Sequence, residues 1–319
     1  MNMANNIRPS TGCAAVLLVA VLLAGCAPPQ PDQEGHMPFV TAEEAVLALV
    51  IAMEEGDVDT LGRLLGPGAE EVIASGDPLA DKADRAAFLA AYREKHELVA
   101  DGEARYVLQV GPNDWPVPVP VVQEDGRWYL DGAEGADEII YRRIGRNELG
   151  AIAVCRGVVD AQAEYAAEAR DGNPAGVYAQ KLLSDPGRQN GLYWPTADDE
   201  VPSPAGPFVA SAGAEGYRAG AEGQRVPYHG YYYRSLYGQG EAANGGAMNY
   251  FEDGLLVRGF ALIAWPADYG ASGVKTFIVN QDGVVWEKDL GEDTATVVEG
   301  IQDFNPDGSW TPLSDGAGD

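Results

Sequence analysis

Cysteine occurs three times in this chain, at Cys13, Cys26 and Cys155. Cys13 opens an apolar run that ends at Leu23, and Cys26 follows directly on Leu23-Ala24-Gly25. The run comes after a polar start carrying Arg8, is too short to span a bilayer, and ends on small residues. That is the pattern of a cleavable secretory signal. With the signal removed and Cys26 modified, Cys155 alone remains, so no internal disulfide is available. A chain of this kind faces an oxidising compartment yet must be held together by its hydrophobic core. Its 319 residues suffice for two ordinary domains.

Leu23-Ala24-Gly25-Cys26 resembles a bacterial lipobox. The resemblance implies cleavage before Cys26 and attachment of palmitate-type acyl chains to its sulfur and new amino group. Each buried methylene contributes about 0.8 kcal/mol, and more than one chain gives stable attachment. Ala27, rather than Asp, follows the cysteine; in Gram-negative lipoproteins this implies the outer membrane, facing the periplasm or the cell surface. Residues 1–25 are thus expected to be a lipoprotein signal peptide. Residues 26–38, with four prolines and no apolar period, are expected to be the lipidated cysteine and a flexible tether.

The formal net charge is −28, from 21 basic and 49 acidic residues. Nucleic-acid binding needs basic patches that displace phosphate counterions, and no basic cluster is present, so nucleic acid is excluded as a partner. Anionic membrane surfaces would repel such a chain, leaving lipid to hold it at the membrane.

Residues 39–135 read as an α+β domain. Thr41 and Glu44 have capping-box spacing, Val46, Leu49, Val50 and Met53 recur at helical spacing, and Gly56 ends the run. Asp57 can cap a second helix carrying Leu61, Leu64 and Leu65, and a third fits Lys82 to Glu94, with His96 at its end. Arg105 to Val110 alternates as a strand. Val117 to Val122 is interrupted by Pro118 and Pro120, which suit an edge or a bulge. Asp125-Gly126 is a hairpin turn before Arg127 to Leu130. The stretch Glu43-Glu44-Ala45-Val46 through Glu55-Gly56-Asp57, then Leu61 to Leu65, is similar to the opening of nuclear-transport-factor-2-like domains. That likeness implies helices wrapped on a small curved antiparallel sheet.

Residues 136–312 read as one long helix followed by an antiparallel sheet. The helix runs from near Ala136 to about Ala169, with Ile152, Cys155, Val159, Ala163 and Ala166 on its apolar stripe. Strand-like runs follow at His229–Leu236, Met248–Phe251, Phe260–Trp265, Thr276–Val279 and Val284–Lys288, the last two joined by an Asn280-Gln281-Asp282-Gly283 turn. Asn147 to Ala167, with Gly273-Val274-Lys275-Thr276-Phe277 and Asp282-Gly283-Val284-Val285, resembles the soluble head of pilin-like proteins. The charged stretch Asp137 to Arg143 departs from the apolar first half of a pilin helix, so the chain should not polymerise as a pilin. Residues 313–319 are expected to be a disordered tail.

Six stretches together resemble the bacterial family numbered 2950 among domains of unknown function. They are Leu65 to Glu70, Asn113-Asp114-Trp115-Pro116, Arg143-Ile144-Gly145-Arg146-Asn147-Glu148, Gly191 to Pro195, Tyr228-His229-Gly230-Tyr231-Tyr232 and Phe277 to Val284. The resemblance implies an envelope protein and brings no catalytic residues.

The chemistry-bearing residues are sparse. His36, His96 and His229 are scattered and lack metal-ligand spacing, and no nucleophile elbow, phosphate loop or dinucleotide loop is present. We therefore expect no enzyme, no catalytic residue and no cofactor, although so many acids leave a glycosidase-like carboxylate pair as an alternative. Asp171 and Asn173 start like a calcium loop, but Pro174-Ala175-Gly176 supplies no further acids. Tyr231, Tyr232 and Tyr233 fit either core packing or an exposed aromatic surface for glycan or protein, together with Trp194 and Trp265. Strand alternation puts Tyr231 and Tyr233 on one face and Tyr232 on the other. The leading expectation is a non-enzymatic, lipid-anchored envelope protein with a protein partner, accessory to a pilus-like or secretion assembly. A glycan- or small-ligand-binding module is the alternative.

Overall fold

A computed structural model of the chain describes residues 36–197, 200, 202–207, 209, 212 and 226–314. The signal region, Cys26 and the end of the tail beyond residue 314 lie outside the described residues. The architecture is α+β: two antiparallel sheets, each with its own helices, joined by one long helix.

The first layer opens with helices α1 (Ala42–Glu55), α2 (Val58–Leu65), α3 (Glu70–Ile73) and α4 (Pro78–Glu94). Thr41 caps α1 by accepting from the Glu44 N–H at 3.2 Å, and the Glu44 carboxylate reaches back to the Val40 N–H at 3.1 Å. That return bond lands one residue before the capping-box position. Strands β1 (His96–Ala100), β2 (Arg105–Val110), β3 (Trp115–Pro116), β4 (Val121–Glu124) and β5 (Arg127–Leu130) follow, ordered β1-β2-β4-β5 with β3 also on β2. Asp125 and Gly126 both have positive φ, as a two-residue hairpin loop requires. His96 opens β1 instead of ending a helix. The strand expected at Val117–Val122 is only β4, because the two prolines cannot donate to a ladder. Val46, Leu49, Leu61, Leu64, Leu108, Val121 and Leu130 form the core between helices and sheet.

The body begins earlier than the composition implies. His36 Nε2 lies 3.1 Å from the carbonyl oxygens of both Leu64 and Leu130, and the Met37 N–H donates to Arg63 at 3.0 Å. These residues, assigned to the tether by their sequence, are seated on α2 and β5.

Helix α5 (Gly132–Ala166) starts four residues before the expected Ala136, capped by Asp131. Gly132 and Gly135 are poor helix formers, yet a Cβ would lie 2.6 Å from the Leu65 carbonyl oxygen at Gly132 and 2.8 Å from Pro118 at Gly135. Close packing on the first layer overrides propensity there. The C-terminal half of α5 turns Ala151 and Cys155 onto the second sheet, and its buried stripe continues through Gln162 and Tyr165, leaving Ala163 exposed. Gln162 decides this: its amide donates to the Ala179 carbonyl and accepts from the Ala179 N–H, both at 2.9 Å. The helix, about 50 Å long, belongs to both halves.

Strands β6 (Lys181–Leu183) and β7 (Gly191–Tyr193) form a small parallel pair in a stretch that reads as loop. Beyond it come β8 (Tyr231–Leu236), β9 (Gly238–Gln239), β10 (Met248–Asn249), β11 (Phe251–Glu252), β12 (Leu255–Leu256), β13 (Ala261–Pro266), β14 (Lys275–Asn280), β15 (Trp286–Asp289), helix α6 (Thr294–Gly300) and β16 (Thr311–Pro312). The second sheet has the order β16-β15-β14-β13-β8 and is antiparallel throughout. It is covered on both faces. Leu262, Ala264, Phe277 and Val279 pack toward α5, while Ile263, Trp265 and Ile278 pack with Val298 of α6. Leu313, expected in the tail, donates its N–H to the Val285 carbonyl at 2.8 Å and packs on the α5 side.

Candidate functional site

The two halves meet along the middle of α5, where polar side chains interrupt its apolar stripe. Arg143 donates to the carbonyl oxygens of Glu71 and Val72, each at 2.6 Å. Burial pulls its pKa down, and the nearby carboxylates of Asp81 and Asp84 oppose that shift. Arg146 pairs with Asp84 at 2.6 Å. One turn on, Asn147 donates to the Ser272 carbonyl at 2.9 Å, and the Glu148 carboxylate accepts from the N–H groups of Val274 and Lys275 at 3.0 and 2.9 Å. The helix thus grips the first half with two arginines and the second with the next two polar residues.

Asp77 closes the junction from the other side. Its Oδ1 caps α4 at the N–H groups of Leu79 and Ala80, while Oδ2 accepts from the Gly230 N–H at 3.1 Å. Gly230 has φ of 71°, and a Cβ there would strike the Asn147 amide. His229 also has positive φ and lies against Gly150, its ring tilted on Tyr228 at 4.1 Å. The stretches Arg143 to Glu148 and Tyr228 to Tyr232, far apart in sequence, therefore meet in one buried network.

A cleft of about 460 Å³ lies beside this junction, lined by Glu71, Asp268, Tyr269, Glu292 and Thr294 among others. A second, of about 440 Å³, lies between α2 and α3 near Val58, Arg63, Pro67, Glu70 and Ile73. Both have the size of small-ligand clefts. Among the described residues, the carboxylates with a resolved shift are Asp57, Glu134, Asp171, Asp185 and Asp307, all displaced downward by hydrogen bonds as the largest cause. A general acid of a carboxylate pair needs the opposite displacement.

The five aromatics expected as one surface are divided among separate clusters. Tyr231 is fully buried at 0 % exposure under Phe277, with its hydroxyl donating to the Lys275 carbonyl at 2.9 Å. Burial drives its pKa upward. Trp265 is 3 % exposed and packs with Tyr232 on the α6 side, while Tyr233 joins Tyr231 on the α5 side. The alternation read from the sequence holds, but both faces are covered. Trp194 is 9 % exposed in a third cluster with Tyr165, beneath the Arg170 guanidinium. These positions do not form a shared exposed platform, because a sheet sandwiched by α5 and α6 consumes its aromatics as core.

At the candidate calcium turn, Asp171 is held by Arg188, whose hydrogen bond keeps the carboxyl below its ordinary range. The Asn173 backbone pairs with Arg170 in a tight turn. Cys155 is buried, and desolvation pushes its thiol up to about 12. The junction residues Asp77, Arg143, Asn147 and Glu148 were not singled out as a site by sequence reasoning. The available signal was the placement of Arg143 and Asn147 on the same stripe as Ile140, Ala151 and Cys155.

The model of the family described as protein of unknown function (DUF2950) matches residues 36–313. The chain belongs to this family. No curated protein and no solved structure matches it. The DUF2950 match starts at His36, the first described residue and one seated on α2 and β5, and takes in both sheets, α5 and the junction network.

Proposed function

We propose that this DUF2950 chain is an envelope lipoprotein that works through contacts, not catalysis: a lipid at Cys26 holds a rigid acidic body near a membrane, where it meets a protein partner. The observation carrying this reading is the seat of His36 on the carbonyls of Leu64 and Leu130. The described body therefore reaches back to within ten residues of Cys26, a chain length that can span at most about 35 Å. Rigidity is supported by α5 and the Asp77–Gly230 bond, which tie the halves through buried polar contacts. With a formal charge of −28 over its full length, the chain favours encounter with basic partners.

The test is capture of envelope proteins by full-length chain carrying Cys26→Ser, beside fractionation of cells making the unaltered protein. The reading expects membrane fractionation that is lost in the variant, and specific capture of a partner. Turnover of a small substrate with no partner recovered would overturn it.

A second reading, a small-ligand module, draws on the 460 Å³ cleft at the junction. Three carboxylates in its wall would suit a cationic ligand. Titration calorimetry with small amines would show saturable heat under this reading and none under the first.

A further inference from the structure

Asn-Gly occurs twice in the chain, at Asn190-Gly191 and at Asn244-Gly245. Asparagine is among the thermolabile residues. A following glycine leaves the side-chain amide open to the next backbone nitrogen, because no Cβ stands in the way. The fold treats the two pairs in opposite ways. At the first, every reacting group is occupied. Asn190 Oδ1 accepts from the Asp185 N–H at 2.9 Å, and its Nδ2 donates to the Asp185 carboxylate at 2.8 Å. The Gly191 N–H donates to the Ser184 hydroxyl at 2.9 Å, and Gly191 itself is buried in β7.

At the second pair the reacting groups are free. Asn244 and Gly245 are both exposed on the loop between β9 and β10. Neither the Asn244 side-chain amide nor the Gly245 N–H has a hydrogen-bond partner among the described residues. The Asn244 carbonyl, by contrast, is held. Buried Gln239 donates its Nε2 to that oxygen and to the Gly246 carbonyl, each at 2.8 Å. The Asn244 carbonyl and the Gly245 nitrogen belong to one conjugated peptide unit, so charge left by loss of the Gly245 proton spreads onto that oxygen. A donor already aimed at an oxygen where charge develops favours the charged form.

We propose that Asn244 is a self-modification site of the folded chain: it cyclises onto Gly245 and ages to aspartyl and isoaspartyl forms. The Gly245 nitrogen, its proton passed to water, attacks Asn244 Cγ. The new C–N bond closes a cyclic imide, and Nδ2 takes up a proton from water and leaves as ammonia. Water then opens the ring at either of its two carbonyls. One opening restores the ordinary backbone with an aspartate at position 244. The other leaves the chain running through Cγ, one atom longer, and turns the former backbone carbonyl into a free carboxylate. Gln239 cannot then bridge the carbonyls of positions 244 and 246 at their present spacing. The short pairing of β9 with β10, Gln239 against Met248 and Gly238 against Asn249, loosens as a result. The proposal depends on neither the lipid anchor nor a partner.

Peptide mapping by mass spectrometry tests this on the full chain, incubated folded in mildly alkaline buffer made with isotopically labelled water. The Asn244 peptide is expected to gain the mass of an amide-to-acid exchange with one labelled oxygen, and part of the product is expected to be isoaspartyl. Three hydrogen bonds must break before Asn190 can react, so Asn244 should convert faster than Asn190 by about tenfold or more. In urea those bonds are gone, and the two sites should convert at similar rates. Asn244→Gln should abolish the change in its own peptide and leave the Asn190 rate as it was. Equal rates at the two sites in the folded chain overturn the proposal. So does an Asn244 that persists in the folded chain and reacts only once unfolded, or a product free of isoaspartate.

Discussion

Asp77 and Gly230 stand 153 positions apart, and the buried Asp77 carboxylate accepts the Gly230 N–H at 3.1 Å. The same carboxylate caps α4. One side chain thus completes a helix in the first half and satisfies a backbone donor in the second. Asp77→Ala removes the cap, which contributes about 0.5–2 kcal/mol. It also leaves a buried N–H unsatisfied at a cost of about 1–3 kcal/mol. Urea unfolding should show a loss of about 2–4 kcal/mol; a change below about 0.5 kcal/mol would mean that Asp77 does not join the halves.

Two glycines of α5 should respond in opposite ways to the same substitution. Gly132→Ala places a methyl 2.6 Å from the Leu65 carbonyl oxygen, so overpacking should lower stability by about 1–3 kcal/mol. Gly145→Ala meets open space and should raise stability by about 0.5–1 kcal/mol through helix propensity. Thermal unfolding of the two variants decides between them. Equal effects would contradict the close seat of the α5 start on the first layer.

The Cys155 thiol is buried and its pKa is pushed up to about 12. The thiolate is the reactive form, so a disulfide-exchange reagent at pH 8 should leave Cys155 unmodified in the folded protein and react fully once urea unfolds it. Prompt reaction in the native state would place this cysteine at the surface.

Glu134 is held below its usual value, near 4.5, chiefly by its hydrogen bond from Arg105, at 2.6 Å. A carboxylate depressed on folding adds stability above its unfolded pKa, and that stability is lost as pH falls through the folded pKa. The pair is about a third to a half exposed, and solvent screening limits its contribution to about 1 kcal/mol or less. Stability should therefore fall as pH drops below about 4.5, and Glu134→Gln should flatten part of that slope. An unchanged slope in the variant would contradict the pairing.

Most of the local architecture was legible because it rests on local chemistry. Thr41 and Asp57 cap their helices, Gly56 ends α1 with φ of 66°, and Asp125-Gly126 turns the hairpin. Those signals act within a few residues and need no knowledge of distant partners. Long-range effects were less legible. The start of α5 looks unfavourable for a helix until Leu65 and Pro118 are seen against its glycines. The parallel pairing of β6 with β7 has no period in so short a run. The tyrosine cluster illustrates the limit most clearly. Alternation assigns Tyr231 and Tyr232 to opposite faces, but only the placement of α5 and α6 tells that neither face is free. At the junction, Arg143 and Asn147 stood on an apolar stripe in plain sight; the meaning of that anomaly depended on Glu71, Val72 and Ser272 arriving from elsewhere in the fold.

Mass spectrometry of the amino-terminal peptide from the native, membrane-extracted protein tests the central claim most directly. A peptide that begins at Cys26 and carries the added mass of acyl chains is the expected result. An intact first residue with a bare Cys26 thiol, in protein recovered without detergent, would contradict it.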